Sequence, residues 1–199
     1  MKTKKVNILR MVELAILTAI VLVLQLTGTA IKLTALGTSV SLVLIPIVLG
    51  AVVLGPATGA WLGGVFGAVT YLMGVFGMDA FTAILFQNHP FLTALTCFGK
   101  GIAAGFFAGL LYRLIAKKSK PVALFVAAAA APIFNTGLFI IGALLMSETL
   151  AANFVAEGST VLYFIFIGCA GINFLLELAL NLIVAPSLST VVQAVQKRV

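Results

Sequence analysis

Apolar residues run along this chain in long blocks, with the polar residues collected between them. Six blocks can be drawn, at residues 12–26, 41–53, 57–76, 91–114, 122–146 and 161–184. A spanning helix needs about 20 apolar residues, so a chain of this kind predicts roughly six spans. They form one compact bundle, a single transmembrane domain over residues 1–199 with no room for a soluble one. The second block reaches back toward residue 33 without a charge, and Pro46 is expected to kink it. The Gly55-Pro56 pair predicts a tight turn. The polar connections are residues 77–90, carrying Asp79, Gln87, Asn88 and His89, and residues 148–157, carrying Glu148, Asn153 and Glu157. An amphipathic tail ends in Lys197 and Arg198.

The cations give the topology. Lys2, Lys4, Lys5 and Arg10 precede the first block, a second cluster spans residues 113–120, and Lys197-Arg198 close the chain. Lys and Arg gather on the cytoplasmic side of short membrane loops, so all three clusters are predicted cytoplasmic. An even number of helices puts both termini there together. The loop around Lys32 and the connections 77–90 and 148–157 then face outward, with Lys32 the one exception to the charge pattern. The first thirty residues have the layout of a signal peptide: a basic region, an apolar run and small residues at 27–30. They are read here as the first membrane helix.

Composition agrees. Of 199 residues, 62% are hydrophobic and 9% charged, and mean hydropathy is +1.25. A soluble domain carries about a quarter charged residues, and one of this size leaves much of its surface in water. The solvent here is the lipid bilayer, and the fold class is an all-α integral membrane protein. The net charge of +7 comes from 12 basic and 5 acidic residues. Basicity often signals nucleic acid, but these cations sit in short clusters between apolar blocks. They report topology and imply no nucleic-acid partner. Cys97 and Cys169 lie inside apolar blocks, without metal-ligand spacing or a disulfide framework, and read as buried thiols.

Glycines recur at every fourth position, at 55, 59, 63 and 67 and again at 101, 105 and 109. Such stripes let neighbouring backbones approach closely and predict packing seams.

Ionisable groups inside apolar helices are expensive and mark functional positions. Two qualify: Lys100 in the fourth block and Glu177 in the sixth. They either pair with each other, or Lys100 awaits an anionic ligand. Asn173, Glu177 and Asn181 share a helix face by their spacing, and Asn135 and Thr136 interrupt the fifth block. Amides at such depth cross-link helices or bind a ligand. With Lys100 they suggest a pocket of a few polar groups in an apolar wall. The tetrad Gln87-Asn88-His89-Pro90 is a candidate lid or rim. Enzyme signatures are missing: the chain has no HExxH, no GxSxG and no P-loop, and its one histidine lacks a nearby acid in sequence. No catalytic or metal-ligating residue is proposed, and any use of ATP falls to another subunit.

The first block contains Ala15-Ile16-Leu17-Thr18-Ala19, an Ala-xxx-Ala stripe near its predicted cytoplasmic end. The second ends in Ile45-Pro46-Ile47-Val48-Leu49-Gly50-Ala51-Val52-Val53-Leu54-Gly55-Pro56, followed by a glycine-rich third block. With its length and topology, the chain resembles the substrate-binding S-components of energy-coupling factor (ECF) transporters over nearly its whole extent. The resemblance implies a multi-pass protein of a prokaryotic cell membrane that binds a vitamin from outside. It implies docking on a transmembrane T-component that carries two cytoplasmic ATPases, with Ala15 and Ala19 on the docking face. It also implies an outward pocket closed by the first, third and fifth loops, and transport by toppling of the whole component. The run from Ile45 to Pro56 is most similar to pantothenate-type members. Lys100 favours a carboxylate, through a charge-assisted hydrogen bond; pantothenate, nicotinate, folate and biotin qualify. The pocket is expected to hold few aromatics, which speaks against a stacked flavin. The alternative is a self-sufficient channel or secondary transporter, but the chain shows no repeat of its halves and no Asn-Pro-Ala pair.

Overall fold

A computed structural model describes residues 2–28 and 42–196, and among them every regular element is helical. Helix α1 spans Lys2–Gly28, α2 Leu44–Val53, α3 Pro56–Val75, α4 Ala80–Asn88, α5 Pro90–Ile115, α6 Lys120–Leu145 and α7 Ser147–Phe154. Helix α8 (Val161–Tyr163), a π-helical stretch (Phe164–Gly171) and α9 (Ile172–Gln196) follow without interruption. Five stretches are long and apolar enough to cross a membrane: Ile8–Gly28, Pro56–Val75, Pro90–Ile115, Lys120–Leu145 and Val161–Thr190.

The second predicted span takes a different form. Helix α2 has 10 residues, a length of about 15 Å, half of the hydrocarbon core. It is apolar all round and sits at the centre of the bundle, with Leu44, Ile47, Val48 and Ala51 fully buried. Pro46 stands near its start, as the third residue of the helix, where the missing N–H of proline has no intrahelical partner to lose. The Lys32 loop, Ser41 and Lys197-Arg198 lie outside the described residues.

Glycines set the register between α3 and α5. A Cβ at Gly59 would strike the Gly105 carbonyl, and one at Gly63 the Gly101 carbonyl; Gly67 lies against Cys97. Successive pairs run in opposite directions, so α3 and α5 are antiparallel with backbones in direct contact. Helix α6 returns antiparallel to α5: Phe107 stacks on Phe134 at 4.1 Å between centroids, and the Thr93 hydroxyl donates to Met146 Sδ at 3.7 Å. Helix α1 runs parallel to α3, with Gln25 bonded to Thr70 at one end and Leu17 meeting Leu62 over Gly50 lower down.

This arrangement separates the two ends of the bundle. The start of α1, the α2–α3 turn and the α5–α6 connection share one end. Gly55 turns the chain there at φ 114°, a conformation open to glycine, and the Arg113 guanidinium lies against it. Lys117 and Lys118, on the α5–α6 connection, and Lys120, the first residue of α6, lie at the same end. The two polar connections share the other end, and both fold as short helices rather than loops. Asp79 caps α4, its Oδ2 accepting from the Thr82 N–H at 2.9 Å. Glu148 lies in the first turn of α7, where its charge complements the helix dipole.

Candidate functional site

A cavity of about 150 Å³ opens at the end away from the cation cluster. It lies between two hydrophobic clusters, one built mainly on α1, α2, α3, α5 and α6, the other on α4, α6, α7 and the π-helical stretch. A cavity of that size holds on the order of ten water-sized spheres, enough for a small organic molecule and too little for a macrocycle.

Helix α5 supplies one wall. Thr93, Thr96, Cys97 and Lys100 recur at helical spacing, so they share one face and all line the cavity. The Lys100 ammonium lies 5.5 Å from the Phe66 ring centroid and 5.4 Å from that of Phe139. Ring faces attract a cation through the π quadrupole. They leave its N–H donors available for an anion. Lys100 and Glu177 both line the cavity, yet among the described residues no ion pair to Lys100 forms.

Helix α6 brings Asn135 and Thr136 into the wall, and α9 brings Asn173 and Glu177. Asn135 is 7% exposed and Glu177 5%. Asn181, one turn further along α9, lies below this group and outside the wall. It is fully buried, and its Nδ2 donates to the Glu177 carbonyl at 2.8 Å. The π-helical stretch contributes Cys169 and Ala170 to the wall; such wide turns recur at functional sites.

The structure thus brings together Lys100, Asn135, Asn173 and Glu177. It leaves Gln87, Asn88 and His89 outside the cavity wall. Gln87 and Asn88 are exposed at the end of α4, and Asn88 Nδ2 donates to the Ile84 carbonyl at 2.8 Å. His89 forms the one-residue junction to α5, and its Nε2 lies 3.0 Å from Thr149 Oγ1. The tetrad is a helix end and junction tied to α7, rather than a loop. Ala15 and Ala19 are exposed on α1, on the side turned away from buried Leu17 and Val21. They share that outer side with Ile16 and Ile20.

Three parts of the site escaped sequence reasoning. Gln25, 8% exposed, donates through Nε2 to Thr70 Oγ1 at 3.1 Å and closes the seam between α1 and α3. A glutamine inside the apolar block 12–26 was a readable signal. Asp79 lines the cavity as well as capping α4. The wall is also more aromatic than expected, because Phe66, Phe81 and Phe139 all face the cavity. Phe81 continues this aromatic packing to Phe154, at 5.0 Å between centroids, tying α4 to α7. Nothing in the local sequence separates these rings from lipid-facing phenylalanines.

The family model described as the substrate-specific component of ECF transporters matches residues 9–189. No curated protein matches the chain.

Proposed function

The chain belongs to the family of ECF transporter substrate-specific components, and we propose that its cavity captures a small, carboxylate-bearing vitamin. Membership makes it a multi-pass, substrate-binding part of a transporter rather than an enzyme. The cation-rich end is placed in the cytoplasm by the positive-inside rule. Both termini are then cytoplasmic, and the cavity opens outward beneath α4 and α7.

The observation that carries the reading is Lys100. An ammonium inside a membrane span is costly, and this one is held between two phenyl rings with no ion pair among the described residues. A carboxylate entering the cavity meets a charge-assisted donor. Pantothenate is the lead, from the similarity of the run between Ile45 and Pro56 to pantothenate-type members.

Delivery requires a T-component and two cytoplasmic ATPases, with Ala15 and Ala19 on the docking face and ATP used only by the partners. The test is reconstitution in liposomes of the chain alone, then with a T-component and ATPases. Accumulation of labelled vitamin is expected only in the complete assembly. Equal accumulation in both would favour a self-sufficient channel or secondary transporter.

A further inference from the structure

Most polar side chains around the cavity are already engaged within the protein. Gln25 donates to Thr70, the Thr82 hydroxyl to Asp79 and the Thr93 hydroxyl to Met146. Asn135 differs. Its residue lines the cavity, it is more than nine-tenths buried at 7% exposure, and no donor among the described residues reaches its Oδ1. It stands on α6 three residues beyond Pro132, inside a membrane span where an unmet amide oxygen is costly. Native proteins pair nearly all such atoms.

We infer that the ligand carries two recognition elements: an anionic group for Lys100, and a hydroxyl or amide N–H that donates to Asn135 Oδ1. The site therefore selects hydroxy acids and amido acids and discriminates against aromatic acids that carry no donor. The inference rests on the reading of Lys100 as the carboxylate partner. The discrimination arises because a donor-bearing acid supplies the hydrogen bond that the Asn135 oxygen lacks, whereas a donor-free acid leaves it unmet. One missing donor corresponds to a loss of about 5- to 150-fold in affinity. Thr136 and Asn173 share the wall with Asn135, so a ligand seated between Lys100 and α6 brings its polar groups to this side.

The test is calorimetric titration of the wild type and of Asn135→Leu with pantothenate and biotin, which carry donors, and nicotinate, which carries none. Asn135→Ala, which adds no bulk, is titrated alongside. Thermal unfolding of each ligand-free protein accompanies the titrations. Both variants are expected to lose about 5- to 150-fold for the donor-bearing acid that the wild type binds. Nicotinate affinity stays unchanged or rises. The ligand-free melting temperature does not fall, because removing an unmet acceptor breaks no bond. Equal losses for both kinds of acid, no loss for either, or a lowered ligand-free melting temperature would overturn the inference. If the wild type binds none of the three acids, the carboxylate reading itself fails and the inference falls with it.

Discussion

One helix pair carries two opposite surfaces. Where α3 and α5 approach the cationic end, Gly59 and Gly63 meet Gly105 and Gly101 so closely that no side chain fits between them. From the level of the Gly63–Gly101 contact toward the other end, the same helices also turn Phe66, Thr70, Thr93 and Lys100 into a cavity. The first surface is sealed by the absence of side chains, the second held open by their presence. Backbone contact fixes the axes of both helices, and the cavity side chains can then be polar without being needed to hold the fold. Stability and binding are divided along the length of one seam.

The strongest way to break this division is to put a side chain into the sealed half. Gly63→Leu forces its Cβ into the Gly101 carbonyl, which belongs to a helix backbone and cannot rotate away. The expected cost is about 3 kcal/mol or more, at or beyond the upper end for overpacked cores. Thermal unfolding in detergent reads it; a melting temperature like the wild type's would remove the seam from the account.

The next effect falls on the open half. Lys100→Met keeps much of the side-chain length and removes the charge. Ligand affinity is expected to drop by about 2–5 kcal/mol, the scale for truncating one partner of a buried charge pair. The ligand-free protein should remain as stable as the wild type. A structural pair with Glu177 predicts the reverse, since the substitution strands a carboxylate and destabilises the empty protein. Titration and melting of the same preparation separate the two outcomes.

A smaller effect sits in the open half, where α1 meets α3. Gln25→Leu deletes the bond to Thr70, and Thr70 keeps its own bond to the Phe66 carbonyl. The loss of stability should be about 1 kcal/mol, the net worth of one hydrogen bond. A much larger loss would show that α1 is held to α3 chiefly by this contact.

The smallest effect on binding belongs to α1's outer face. Ala15→Leu with Ala19→Leu changes exposed positions far from the cavity, so ligand affinity should stay within about 0.5 kcal/mol of wild type. Transport by the complete assembly should nevertheless weaken, because bulk at both positions keeps a partner helix from close approach. Loss of binding with intact assembly would contradict this.

Much of the fold could be read from the sequence because lipid imposes one rule on every span. Uninterrupted apolar length marked the five long stretches, and fourfold glycine spacing marked the α3–α5 seam. The short elements obey other rules. Helices α4 and α7 arise from a cap at Asp79 and a dipole partner at Glu148, within segments whose polarity imitates loops. Helix α2 is short for a reason composition does not show: it is buried by its neighbours instead of by lipid. In the site, Lys100, Asn135, Asn173 and Glu177 stood out because polar groups are rare in such helices. Phe66, Phe81 and Phe139 did not, since one phenylalanine in an apolar helix looks like any other until its direction is fixed. The π-helical stretch that brings Cys169 and Ala170 to the wall leaves no periodic trace in eight apolar and small residues.

The central claim is that the cavity holds a small carboxylate through Lys100. Its most direct test is mass spectrometry of the small molecule released from detergent-purified protein, wild type and Lys100→Met side by side. The account predicts a carboxylic acid, pantothenate foremost, from the wild type and none from the variant. An uncharged or cationic molecule retained equally by both proteins would contradict it.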